Sequence, residues 1–260
     1  LVNLKNLYCN TNQLTSLDLQ GLVYLKSLNC GSNDFTTLNF QGLVSLESLW
    51  CNGNNILTSL YINDLVNLKS LECTYNNLLT SLDLNGLINL ESLVCANNSM
   101  LTTLNLNSLV NLKSLEFTKN NLLTTLNLNG LVNLETLNCY SNKLLTSLDL
   151  QGLIKLSALS CYSNKLVTLD LQGLVSLTNL YCYSNQLTSL NLQGLVNLKT
   201  LDCHENQLTS LNLQSLVKLI TLYCYSNQLT SLDLQGLVNL TNLYCYSNQL
   251  ISLDLQGLIN

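Results

Sequence analysis

A cysteine followed three residues later by an asparagine recurs every 21 or 22 residues along this chain, from one end to the other. The cysteines are Cys9, Cys30, Cys51, Cys73, Cys95, Cys139, Cys161, Cys182, Cys203, Cys224 and Cys245, and Phe117 fills the single gap in register. The asparagines are Asn12, Asn33, Asn54, Asn76, Asn98, Asn120, Asn142, Asn164, Asn185, Asn206, Asn227 and Asn248. So strict a period marks a repeat architecture, in which each unit is one supersecondary element that cannot bury its apolar edge alone and must stack on its neighbours. Every unit follows L-x-x-L-x-C-x-x-N-x-L, as in Leu198, Leu201, Cys203, Asn206 and Leu208. Leu201 and Cys203 alternate with Asp202, which predicts a short strand with Leu and Cys inward and Asp202 outward. Asn206 follows where the chain turns, and its amide suits backbone groups that a buried turn would leave unpaired. Twelve such strands at ~4.8 Å spacing predict a parallel sheet roughly 55–60 Å long.

A second apolar alternation, such as Leu229, Leu232 and Leu234, lines the opposite wall, and a GLVN segment closes the unit. That return is too short for a full α-helix with its loops. The expected class is therefore an α/β-type repeat solenoid with leucine-rich repeats. A parallel β-sheet would form the concave side and short extended or 3-10 segments the convex side, with little or no true α-helix. From Cys51 to Cys161 the units carry 22 residues, with an extra apolar residue after the asparagine, which predicts a widened turn there.

The pattern resembles leucine-rich repeats of bacterial internalin-type surface proteins, in particular the cysteine-ladder variety, over Leu4 to about Leu255. The resemblance implies a secreted or cell-surface bacterial protein that recognises a partner. The segment after the second alternation departs from that group, because QGLVNL replaces a turn rich in serine and asparagine. Residues 1–260 are expected to form one domain of twelve repeats. Its ends, Leu1 to Leu4 and Leu258 to Asn260, fall inside the pattern without polar caps, as in a piece of a longer protein. Such ends suggest self-association end to end, and a structural spacer or filament element is the alternative to recognition.

Composition removes several functions. Charged residues are 10% of the chain, against the roughly 25% usual in globular domains. A net charge of −5 and the lack of arginine disfavour nucleic acid, whose phosphates need clustered cations. No apolar run approaches the ~20 residues of a bilayer-spanning helix, so no direct membrane insertion is expected.

The cysteines point the same way on parallel neighbours and lack the spacing of a metal site, so packing is the expected role and no metal or cofactor is anticipated. His204, the one imidazole, lies beside Glu205 and two residues from Asp202 without a nucleophile or oxyanion device, so no catalytic residue is assigned and no enzyme is expected. The positions flanking each cysteine should face the concave surface. From Tyr140 onward they hold Tyr140, Tyr162, Tyr181, Tyr183, Asp202, His204, Tyr223, Tyr225, Tyr244 and Tyr246, with Glu205 adjoining. A contiguous aromatic stripe of this kind suits recognition, since tyrosine offers large contact area, low entropy loss and a polar tip. A protein or a glycan is the expected ligand. In the N-terminal half, Lys26, Glu47, Lys69, Glu91, Lys113 and Glu135 alternate in sign, which reads as register-setting ion pairs. A column of Asp18, Asp83, Asp149, Asp170, Asp233 and Asp254 shared with asparagine reads as solvated carboxylates, with calcium the weaker alternative.

Overall fold

The computed structural model describes residues 1–255, so the chain end at Leu258 to Asn260 lies outside the described residues. The chain winds as a parallel β-solenoid of about 11 turns, without a helix among the described residues. Its strands, in chain order, are β1 (Asn6–Tyr8), β2 (Ser27–Asn29), β3 (Thr37–Asn39), β4 (Ser48–Trp50), β5 (Ser59–Tyr61), β6 (Ser70–Glu72), β7 (Ser81–Leu82) and β8 (Ser92–Val94). They continue as β9 (Thr103–Leu104), β10 (Ser114–Glu116), β11 (Thr136–Asn138), β12 (Ala158–Ser160), β13 (Asn179–Tyr181), β14 (Thr200–Asp202), β15 (Thr221–Tyr223) and β16 (Asn242–Tyr244). Twelve of these form the main sheet, in the order β1-β2-β4-β6-β8-β10-β11-β12-β13-β14-β15-β16. Equivalent residues pair across every junction, as Leu201 with Leu222, so each sequence column becomes a physical row along the sheet. β3 pairs with β5 and β7 with β9 on the second wall, where the alternation around Leu38 and Leu60 buries the leucine and exposes its neighbours.

The core is a continuous run of leucines from both walls, closed by the cysteines. From Cys30 to Cys224 each cysteine is fully buried, as is Phe117 in the same row. All eleven cysteines are unpaired thiols. Burial pushes the Cys30, Cys73, Cys139 and Cys224 thiols up to about 12, which keeps them protonated and behaving as small hydrophobes.

Between strand and second wall, the residue before each asparagine adopts a left-handed backbone. Eleven non-glycine residues do so at φ 50–58°, from Thr11 to Ser247, and Gly53 does so at φ 72°. That conformation is unfavourable for L-residues, and the asparagine holds it. The Asn206 amide donates to the carbonyl oxygens of Cys203 (3.1 Å) and His204 (3.2 Å) and, one repeat back, of Cys182 (3.1 Å). Its oxygen accepts the Leu187 N–H at 3.0 Å.

The extra residue of the longer units closes a turn on the asparagine carbonyl, as Leu79 N–H to Asn76 O at 3.0 Å. The inserted Ile56, Leu78, Met100, Leu122 and Leu144 stand exposed at its tip. The ladder changes partners in this stretch. From Asn54 to Asn164, each asparagine oxygen accepts the backbone N–H of the preceding asparagine, at 2.8–3.2 Å.

The return segment takes the form of successive single turns, as Leu22 N–H to Leu19 O (3.2 Å) and Leu25 N–H to Leu22 O (3.0 Å). Asx turns begin it. The Asp18, Asp149, Asp170 and Asp233 carboxylates accept the N–H two residues on, and Asn191 and Asn212 do the same. Both residue types offer the same acceptor, which explains why they interchange in this column. A second asparagine row, unanticipated from the sequence, links the returns. Asn67, Asn89, Asn111, Asn133, Asn197 and Asn239 each donate to an aliphatic residue's carbonyl in the preceding repeat, at 2.8–2.9 Å.

Candidate functional site

The outward positions of the main sheet flank the buried cysteines, and parallel in-register pairing turns them into rows. In the row after the cysteine, Tyr140, Tyr162, Tyr183, His204, Tyr225 and Tyr246 form one stack, with centroids 4.2–4.4 Å apart and planes 7–12° from parallel. The four interior rings have a neighbour on each face. What they present outward is ring edges and polar tips.

The row before the cysteine behaves differently. Tyr223 stacks on Tyr244 at 4.6 Å, but Asp202 separates that pair from Tyr181, because Asp202 is registered between Tyr181 and Tyr223. The expected single stripe is thus a six-ring stack beside an interrupted row. A carboxylate is too small to bridge the stack.

Asp202 is 9% exposed. Its Oδ1 lies 2.5 Å from Nδ1 of His204, inside the same aromatic patch. Burial raises the Asp202 carboxyl, and the hydrogen bond and charge of His204 oppose that rise. Glu205 is exposed at the edge of the face, where it accepts the Ser184 hydroxyl at 2.6 Å. Burial also pushes the Tyr162 and Tyr183 phenols up and takes Tyr225 to about 12. Near-burial of Asp202 was not legible from the sequence, where the residue occupies a nominally outward position.

A separate concavity lies elsewhere on the sheet. It is a groove of about 530 Å³ along the charge row, lined by Lys26, Glu47, Lys69, Glu91, Lys113 and Asn67 among others. Glu47 bridges Lys26 (2.7 Å) and Lys69 (3.0 Å), and Glu91 holds Lys113 (2.7 Å). These exposed pairs occupy the groove's charges with one another, in keeping with a register role. No group of three or more metal-ligating side chains is assembled among the described residues. Nor is any helix among them long and apolar enough to cross a membrane.

No protein-family model matches the chain, and no curated relative matches it significantly. Solved structures do. The functional domain of InlJ from Listeria monocytogenes, which includes a cysteine ladder, matches at TM-score 0.80 and 31% identity over 99% of this chain and 52% of its own. This chain therefore spans about half the length of that domain. YopM from Yersinia enterocolitica matches at TM-score 0.75 and 25% identity, covering 96% of this chain and 57% of its own. The leucine-rich-repeat protein LIC12759 of Leptospira interrogans matches at TM-score 0.61 and 25% identity, covering 95% of this chain and 79% of its own. Rows of buried cysteine and asparagine, parallel three-residue strands and these neighbours agree: the chain is a leucine-rich-repeat protein, similar to the internalins and, in its cysteine ladder, to InlJ.

Proposed function

We infer that this solenoid is a non-enzymatic recognition module of a bacterial surface or secreted protein, and that it holds a polypeptide along the tyrosine-bearing face of its main sheet. The observation that carries the reading is the six-ring stack from Tyr140 to Tyr246. The stack is a rigid, half-exposed aromatic surface on a frame whose inward leucine, cysteine and asparagine rows are nearly invariant. Rigid tyrosines lose little entropy on binding and offer a hydroxyl at the tip.

Stacking also narrows the ligand. A sugar ring docks against the open face of an aromatic ring, and the interior rings have none to give. Edges and hydroxyls in a row suit a polypeptide that brings its own carbonyls, amides and aliphatic side chains. The resemblance to InlJ supports placement at the bacterial surface or outside the cell.

The test is an array of glycans and host proteins, probed with this chain and with a variant carrying serine at Tyr181, Tyr183, Tyr223, Tyr225, Tyr244 and Tyr246. The reading expects protein hits that vanish in the folded variant. Hits that survive the substitutions would move the binding surface elsewhere. The absence of any hit for either folded protein would favour a spacer or filament element.

A further inference from the structure

The interruption in the row before the cysteine leaves a notch. Tyr181 stands on β13 and Tyr223 on β15, with Asp202 of β14 between them. Tyr223 has one face covered by Tyr244, and no ring stacks on its other face, toward Asp202. Tyr181 stacks on no ring among the described residues. Two strand spacings set the tyrosines about 9.6 Å apart. A group midway between them would be about 4.8 Å from each ring, inside the roughly 6 Å over which a cation is attracted to an aromatic face. Below it lies a nearly buried carboxylate, with the His204 imidazole alongside.

Within the two outward rows that flank the cysteines, formal charge has one sign. Across the twelve strands, the outward rows flanking the cysteines carry Glu72, Glu116 and Asp202 and no lysine. We propose that the notch formed by Tyr181, Asp202 and Tyr223 receives the cationic side chain of a lysine or arginine in the partner polypeptide. The cation would sit between Tyr181 and the unstacked face of Tyr223, above the Asp202 carboxylate. This rests on the recognition reading and adds the chemistry that the partner must supply. It also assigns Asp202 a purpose, since a tyrosine there would have completed a second unbroken stack.

The probe is a decapeptide of alternating serine and lysine, compared with the same peptide acetylated at every lysine. Each is titrated at pH 8 into the wild-type chain and into Asp202→Asn, a near-isosteric change whose fold is checked by circular dichroism. Saturable binding of the lysine peptide to wild type is expected, weakened about tenfold or more by Asp202→Asn. Acetylation should weaken binding to wild type by a similar factor. Equal binding of the lysine peptide to wild type and Asp202→Asn overturns the proposal, as does equal binding of the two peptides, or no binding to wild type. A protein hit from the array that needs the tyrosines but ignores Asp202→Asn would refute the notch while sparing the recognition face. A face that no polypeptide needs would refute the recognition reading itself.

Discussion

Asn142 shows how much one residue of the ladder carries. It is fully buried, donates to the carbonyl oxygens of Cys139 (2.7 Å) and Phe117 (2.9 Å), and accepts the Asn120 N–H (2.9 Å). Asn142→Ala would orphan the Phe117 carbonyl and the Asn120 N–H in the interior, at about 1–3 kcal/mol for each unsatisfied group, while the Cys139 carbonyl keeps the Asn164 amide at 3.1 Å. A total loss of about 2 kcal/mol or more is expected in urea unfolding. Asn239→Ala removes one exposed bond, to Val217 O at 2.8 Å, and should cost under about 1 kcal/mol. Equal losses would mean that the buried ladder is not what holds the left-handed turns. Phe117 makes a sharper case. Restoring the cysteine pattern with Phe117→Cys looks like a repair by sequence, yet the ring is fully buried between Cys95 and Cys139 in the row. Emptying its volume should destabilise the chain by about 3 kcal/mol, measured the same way.

At the scale of the strand, register is set twice, once inside and once outside. Inside, leucine pairs with leucine across every junction of the main sheet, as Leu201 with Leu222. Outside, the charge row makes a slip by one repeat unfavourable, because it would set Lys against Lys. Lys26 and Lys69 hold the Glu47 carboxyl down at about 2, and Lys113 lowers Glu91. Folded-state carboxyls depressed in this way contribute stability that is fully present above the ordinary carboxylate pKa and disappears as pH falls through the folded value. The account therefore expects stability to decline between about pH 4.5 and 2, with Glu47→Gln and Glu91→Gln flattening that part of the profile. A profile unchanged by both substitutions would leave the row without a structural role. These strands and rows were legible because a period-two alternation inside a fixed repeat leaves one choice of face. The second asparagine row was not legible. Nothing in GLVN distinguishes an asparagine that bonds a neighbouring repeat from one that faces water, and only stacking brings Asn67 against the Val44 carbonyl.

Over the whole molecule, the long aromatic stack keeps its rings nearly parallel across six consecutive strands. Rings in the long stack turn by only 7–12° from one repeat to the next, whereas adjacent strands commonly twist by roughly 20–25°. Side chains stacked in register favour a flatter sheet, so a stack this nearly parallel would brace the solenoid as well as face outward. The sequence revealed the solenoid and its aromatic columns. It could not reveal that stacking would hide the ring faces, or that Asp202 would divide one row, because both depend on distances between repeats. A braced but non-binding face remains the rival account, and 19F NMR of the chain labelled with 3-fluorotyrosine distinguishes the two. Signals are assigned by single Tyr→Phe substitutions, and the chain is titrated with a protein partner from the array. The recognition account predicts shifts at Tyr162, Tyr183, Tyr225 and Tyr246 while Tyr24 and Tyr61, outside the stack, stay still. Shifts at Tyr24 or Tyr61 with the stack unmoved would contradict it.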